Sequence, residues 1–231
     1  MKYPVSLSAL RKLCLGGALA LLAAHASAAG RDQIGAESSA DGLEKITIKG
    51  IDFAYARPGA SLVSYKKIML DPIEVAFRKD WKPNRAGSNL PLPAKDREEI
   101  RQGVAKIVLD EFTKELQRST QYQLVTTAGP DVLRAKARIV DLYVNAPDTA
   151  STNVTRTYTL STGEMTLLAE LFDSETGQVV ARVLDRTESR GTGRFMLTNS
   201  VVNDMESRLT ASTWAKILRT RLDSAHTIDG K

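Results

Sequence analysis

Glu164-Met165-Thr166-Leu167-Leu168-Ala169-Glu170-Leu171-Phe172-Asp173-Ser174-Glu175-Thr176-Gly177-Gln178-Val179-Val180-Ala181-Arg182-Val183-Leu184-Asp185-Arg186-Thr187-Glu188 carries the clearest structural signal in the chain. Met165, Leu167, Ala169 and Leu171 alternate with Glu164, Thr166 and Glu170. That period of two belongs to a strand with one buried face. Asp173 to Gln178 supplies turn formers, one of them a glycine, and Val179 to Glu188 reads as the return strand.

The pattern extends outward from this hairpin. Leu133, Ala135, Ala137 and Ile139 alternate with Arg134, Lys136 and Arg138 in a strand that continues to Val144. One of its faces is small and apolar and the other is basic. Gly129-Pro130-Asp131 is a turn before it, and Tyr122, Leu124 and Val125 form a short strand before that. Further upstream the period changes. Ile100, Val104, Ile107, Val108, Phe112 and Leu116 fall at helical spacing and predict an amphipathic helix over Lys95 to Ser119. Tyr65 to Phe77 reads as a strand region, with Pro72 at an edge or bulge because it has no N–H to donate. Leu43 to Ala54 gives a short strand, and Asp80 to Pro93 and Asn145 to Thr162 give loops. Val201, Met205, Leu209, Ile217, Leu218 and Leu222 supply the apolar stripe of a last helix. The order β-β-α-β-β-β-β-α predicts a single α+β domain. Its sheet is mixed and mostly antiparallel, packed against two long amphipathic helices.

The N-terminus reads differently. Lys2, Arg11 and Lys12 precede the apolar run Leu13 to Ala24, and Ala26-Ser27-Ala28 is a small-x-small site. Residues 1–28 are therefore expected to be a secretory signal peptide cleaved between Ala28 and Ala29. The apolar run is shorter than a membrane span, which needs about 20 residues. Residues 29–42, poor in large apolar side chains, are expected to be a flexible lead. Residues 43–224 make the domain and 225–231 a flexible tail.

Removing residues 1–28 leaves 29 basic against 27 acidic residues, no cysteine and one histidine, His226. Near-neutral charge gives no phosphate-tracking stripe, so no nucleic-acid partner is expected. Without Cys and with one tail His there is no thiol nucleophile, no His/Cys zinc set and no disulfide framework. No cofactor and no enzymatic activity are expected.

Several features are candidate contacts. The Arg134/Lys136/Arg138 row could bind an anionic polymer, although Glu164, Glu170 or Asp185 could pair with it from neighbouring strands. Arg190-Gly191-Thr192-Gly193-Arg194 could approach an anion through glycine amides flanked by arginines, or serve only as a connection. Trp81, in a proline-rich loop, could dock a partner or fold over the core. Asp71 with Glu74, and Asp110 with Glu111, are the carboxylate pairs that acid–base chemistry would need. They read better as a strand end and a polar helix face. Asn153-Val154-Thr155 matches a glycosylation acceptor, which a bacterial-type export signal makes uninformative.

Taken together, Tyr65 to Val75, Ala128 to Arg134, Ala135 to Asp141 and Glu170 to Gly177 resemble a domain-of-unknown-function family of Gram-negative envelope proteins, many assigned as lipoproteins. The resemblance implies an exported α+β domain acting through protein contacts. No catalytic residue comes with it. Cys14 stands at the start of the apolar run, not at the end where a lipid anchor needs it. The expected location is the periplasm or the medium, and the expected partner an envelope protein or a cell-wall component. The rival functions are a carboxylate-dependent hydrolase of envelope glycan or peptide, and a small-ligand or lipid carrier.

Overall fold

The computed structural model describes residues 28–82, 91–144, 157–159, 163–188, 196–198 and 200–228. The signal-peptide reading, Cys14 and the last three residues lie outside them. Among the described residues there are three helices, α1 (Ala28–Ala40), α2 (Ala94–Leu116) and α3 (Ser200–Ile228). The strands are β1 (Glu44–Ile46), β2 (Phe53–Ala56), β3 (Lys67–Leu70), β4 (Glu74–Phe77), β5 (Gln123–Val125), β6 (Val132–Val144), β7 (Thr157–Thr159), β8 (Gly163–Asp173), β9 (Val179–Glu188) and β10 (Met196–Thr198).

The expected hairpin forms as β8 and β9, paired antiparallel from Glu164 opposite Glu188 to Phe172 opposite Val179. Gly177 closes it at φ 70°, a backbone state that suits glycine. The Asp173 carboxylate accepts from the amides of Thr176 (2.8 Å) and Glu175 (3.2 Å), and the Tyr65 hydroxyl donates to it at 3.0 Å. These amide bonds, the Thr176 one foremost, hold the Asp173 carboxyl below the usual range. Burial, then the bond to Asp173, pushes Tyr65 up to about 12.

The sheet runs β1-β2-β9-β8-β6-β3-β5, with β4 also on β6. Strands β1, β2, β9, β8 and β6 pair antiparallel. Strands β3 and β4 lie end to end along the other edge of β6, parallel to it, and β5 is parallel to β3. The expected strand over Tyr65 to Phe77 is thus two strands, broken at Asp71-Pro72-Ile73, where proline cannot donate to the ladder. A separate ribbon, β7 with β10, places a strand inside the expected loop Asn145 to Thr162.

Strand β6 is irregular at one level. Between the Val75–Ile139 and Phe77–Leu142 pairs it carries one residue more than β4. Between the Ile139–Leu167 and Tyr143–Glu164 pairs it carries one residue more than β8. This is a bulge within residues 140–142, and it inverts the alternation. Leu133, Ala135, Ala137 and Ile139 are buried toward the helices, and after the bulge it is Leu142, an even-numbered residue, that joins the same core.

Both long helices cover this one face. Val104, Val108 and Phe112 of α2 meet Ala211, Trp214 and Ala215 of α3 over Ala137, Ile139, Leu142, Met165 and Leu167. The buried stripe of α3 is therefore Ala211, Trp214, Ala215 and Leu222. Met205 and Leu209 were expected in it, yet they are 61% and 70% exposed. At about 100° per residue they stand on the opposite side of the helix from Trp214 and Leu218. A four-residue spacing alone does not say which face a long helix buries.

The lead is not irregular. Residues from Ala28 form α1, whose Ile34, together with Leu43 just beyond the helix end, packs on the sheet's outer face against Tyr55, Phe53, Leu168 and Leu184. Its end is a Schellman motif: Leu43 N–H donates to Ser38 O at 2.8 Å and Gly42 N–H to Ser39 O at 3.0 Å, with Gly42 at φ 70°. Low hydrophobicity alone predicts flexibility, but two apolar anchors and a glycine cap dock the segment on the sheet face. The C-terminal tail is also structured as far as Ile228. His226 lies edge-on to Tyr122 with ring centroids 4.8 Å apart. Ile34→Ala is expected to lower stability by about 2–4 kcal/mol, read by denaturant unfolding. A value near zero would mean that α1 is not docked.

Candidate functional site

The outer face of the sheet carries a ladder of charge. Arg134 bonds Asp71 through two nitrogens at 2.9 and 2.8 Å, Lys136 reaches Glu74 at 3.2 Å and Arg138 reaches Glu170 at 2.9 Å. Glu170 also takes Arg182 at 2.8 Å, and Arg182 continues to Asp41 at 2.7 Å and to the Ser38 hydroxyl at 3.3 Å. The expected basic row thus brings its counter-charges with it, one carboxylate for each cation. Of the three expected partners only Glu170 is used; Asp71 and Glu74, offered as an acid–base pair, are the other two. The alternation of β6 set the cations on one face, and the break at Pro72 delivered the acids opposite them.

Glu170 and Arg182 are buried, at 6% and 7% exposure. Isolated, either charge would be expensive there, and the pair is tolerated because each meets a second charged group. Arg182 also ties α1 to the sheet. From the sequence Glu170 is named only as a possible partner of the basic row and Arg182 not at all, because a polar position in an alternating strand reads simply as outward-facing.

The ladder ends in a denser cluster at the β6 bulge. Arg78, just past β4, donates to Glu164 at 2.6 Å and to Asp80 at 2.6 Å, and its guanidinium lies 4.0 Å from the Tyr143 ring centre. Arg186 of β9 donates to the same Glu164 oxygen at 2.7 Å. Asp141, in the bulge, sits among these groups. Burial pushes its carboxyl up to about 6, against the pull of Arg78 and Arg186. Among the described residues, the guanidiniums of Arg78 and Arg186 and the carboxylates of Asp80 and Glu164 all act on Asp141.

A second buried carboxylate is Asp185, under α3. It accepts from the Trp214 indole N–H at 2.7 Å and from the Asp52 amide at 3.0 Å, and burial raises its pKa. It latches α3 to the sheet and does not pair with the basic row.

Trp81 is buried. Its ring stacks on Phe77 at 4.0 Å and its indole N–H donates to Val144 O at 2.9 Å, so it folds over the core. Arg190, Arg194 and Asn153 lie outside the described residues. Asp110 and Glu111 are on α2, where Asp110 pairs with Lys106 and Glu111 with Arg208. Among the described residues no helix is long and apolar enough to cross a membrane, and no three His, Cys, Asp or Glu side chains gather as a metal set.

Residues 32–218 match the family described as protein of unknown function (DUF3313), and the chain belongs to that family. This meets the expected resemblance at the level of a domain of unknown function. No curated protein matches the chain. Among solved structures it is similar to XCC0632 from Xanthomonas campestris, of the DUF330 family, at 11% identity over 75% of this chain and 92% of that one, with a TM-score of 0.42. It is similar also to PelC from Paraburkholderia phytofirmans, solved as a dodecamer, at 7% identity over 71% and 96%, with a TM-score of 0.37. CT253 from Chlamydia trachomatis matches at 11% identity over 71% and 95%, with a TM-score of 0.33. At this distance neither an assembly nor an activity transfers to the chain.

The ladder makes a graded prediction. Glu170→Ala leaves Arg138 without its carboxylate and Arg182 with Asp41 alone, in the middle of the sheet, and is expected to cost about 3–5 kcal/mol. Arg134→Ala removes a half-exposed pair and is expected to cost less than about 1 kcal/mol. Denaturant titration of both variants checks the order, and equal losses would refute it.

Proposed function

We propose that this is an exported cell-envelope protein that works as a non-catalytic binding or accessory module, through contact with another envelope protein. The observation that carries the reading is the exposed pair Met205 and Leu209 on α3, one helical turn apart, at 61% and 70% exposure. The same helix buries Ala211, Trp214, Ala215 and Leu222 on its other side. Apolar side chains held on a rigid helix at that exposure suit a protein contact better than a hydrated glycan. The charges of the outer face support the same reading. Among the described residues the basic row is paired with carboxylates, so it holds the fold together and is not left as an unbalanced cationic track for a polyanion. Export rests on the N-terminal sequence pattern, and the absence of a thiol or a second histidine after cleavage supports a role without nucleophile chemistry.

A photo-crosslinking residue at Leu209, in protein expressed in a Gram-negative envelope, should give a discrete adduct. The same residue at Lys106 on α2 should not. Met205→Glu, in the protein that carries the crosslinking residue at 209, should abolish the adduct with stability unchanged, since the side chain at 205 is exposed. No adduct at position 209, or the same adduct at both positions, would overturn the reading.

A further inference from the structure

Met205 and Leu209 are the start of a longer stripe along α3. At about 100° per residue, Met205, Leu209, Thr213, Lys216 and Thr220 fall within one sector of roughly 80°. All of them are exposed. Steps of four, four, three and four residues make a ridge about 22 Å long. It cannot turn inward, because Ala211, Trp214, Ala215 and Leu222 already commit the other side of the helix to the core. The ridge changes character along its length. Its start is apolar: among the described residues the exposed large apolar side chains are Ile46, Met205 and Leu209, and the last two stand one turn apart. Its middle is small, and the Thr213 hydroxyl donates to its own helix, to Leu209 O at 2.8 Å, so it requires no partner. Its far end is cationic. Lys216 and Arg221 are exposed, and no carboxylate among the described residues pairs with either. Elsewhere on the helix Arg208 pairs with Glu111, Arg219 with Glu115 and Asp223, and Glu206 is engaged too. Asp204, exposed before Met205, lies about 100° off the stripe.

We propose that the occupant of this stripe is an acidic amphipathic helix of the partner protein, which rests on the α3 contact proposed above and names its partner's chemistry. The helix lies along α3 with apolar residues over Met205 and Leu209 and a carboxylate opposite Lys216. A straight ridge of four turns on a rigid helix is the shape that a second helix packs against, ridge into groove. Thr213 and Thr220 are small enough to let the two backbones approach. Lys216 attracts a carboxylate, and with Arg221 beside that end of the stripe it repels a basic helix, so charge gives the contact its selectivity. An anionic membrane surface would meet the same cation, but a helix held in a bilayer interface needs a broader apolar face than two side chains. Leu209 and Thr220 are eleven residues apart, which is about 16 Å along the axis. An opposing helix covers that length in about eleven residues and an extended strand in about five.

Photo-crosslinking residues placed singly at Leu209 and Thr220, in protein expressed in a Gram-negative envelope, test this, with the attachment sites read by mass spectrometry. Both should reach one segment of one protein, at sites about eleven residues apart with Asp or Glu between them. Lys216→Glu should cut the yield from position 209 about fivefold or more, and Lys216→Arg should leave it within about twofold. Sites about five residues apart, or a yield that Lys216→Glu leaves unchanged, would overturn the acidic helix and leave the α3 contact standing. Adducts to lipid, or to a second copy of this chain, would overturn it as well. No adduct at position 209 would remove both the contact and its occupant. The spacing of the sites is read without any variant at Lys216.

Discussion

Strand β6 has to satisfy two environments at once, and most of the molecule follows from how it does so. Its thirteen residues pair with β8 along one edge and with β3 and β4 along the other. One face lies under two helices and must be apolar; the other carries three cations that must be neutralised. Small residues at 135 and 137 let α2 and α3 come down onto the sheet. The cations on the opposite face draw Asp71 and Glu74 from the neighbouring strands and Glu170 from the hairpin. A regular strand would then turn Asp141 into the core and Leu142 out of it. The one-residue bulge exchanges them, because burying Leu142 and leaving the carboxylate among arginines is far less costly than the reverse.

Glu170 extends the same logic to the rest of the outer face. It is shared by Arg138 and Arg182, and Arg182 passes the connection to Asp41 and Ser38 at the end of α1. A helix with only two apolar anchors is thereby joined to the central strand through a chain of charges. The ion pairs therefore give register and orientation, while the apolar contacts beneath α2 and α3 supply the larger share of stability.

Much of this was legible in the sequence. The hairpin, the two-faced β6, the α2 stripe and the irregularity at Pro72 all follow from period and turn chemistry. The misses have physical causes. Gly42-Leu43 after a small-residue run is a helix C-terminal signal, but composition alone hid α1. Met205 and Leu209 have the same residue types as a core stripe, and only their angular distance from Trp214 separates them. The charged cluster was invisible because it assembles from residues 78, 80, 141, 164 and 186, which no local spacing connects. Yet the step from Ile139 to Leu142, where an odd-numbered apolar series becomes even, does mark the bulge. It is the one signal in the sequence that could have pointed to that site.

The central claim is that the bulge decides which of two adjacent side chains enters the core. Guanidinium unfolding of Asp141→Leu and Leu142→Asp tests it directly. The account predicts that Asp141→Leu stays folded, within about 1.5 kcal/mol of the wild type, and that Leu142→Asp loses about 4 kcal/mol or more or fails to fold. The reverse order, with Leu142→Asp tolerated and Asp141→Leu disruptive, would contradict it.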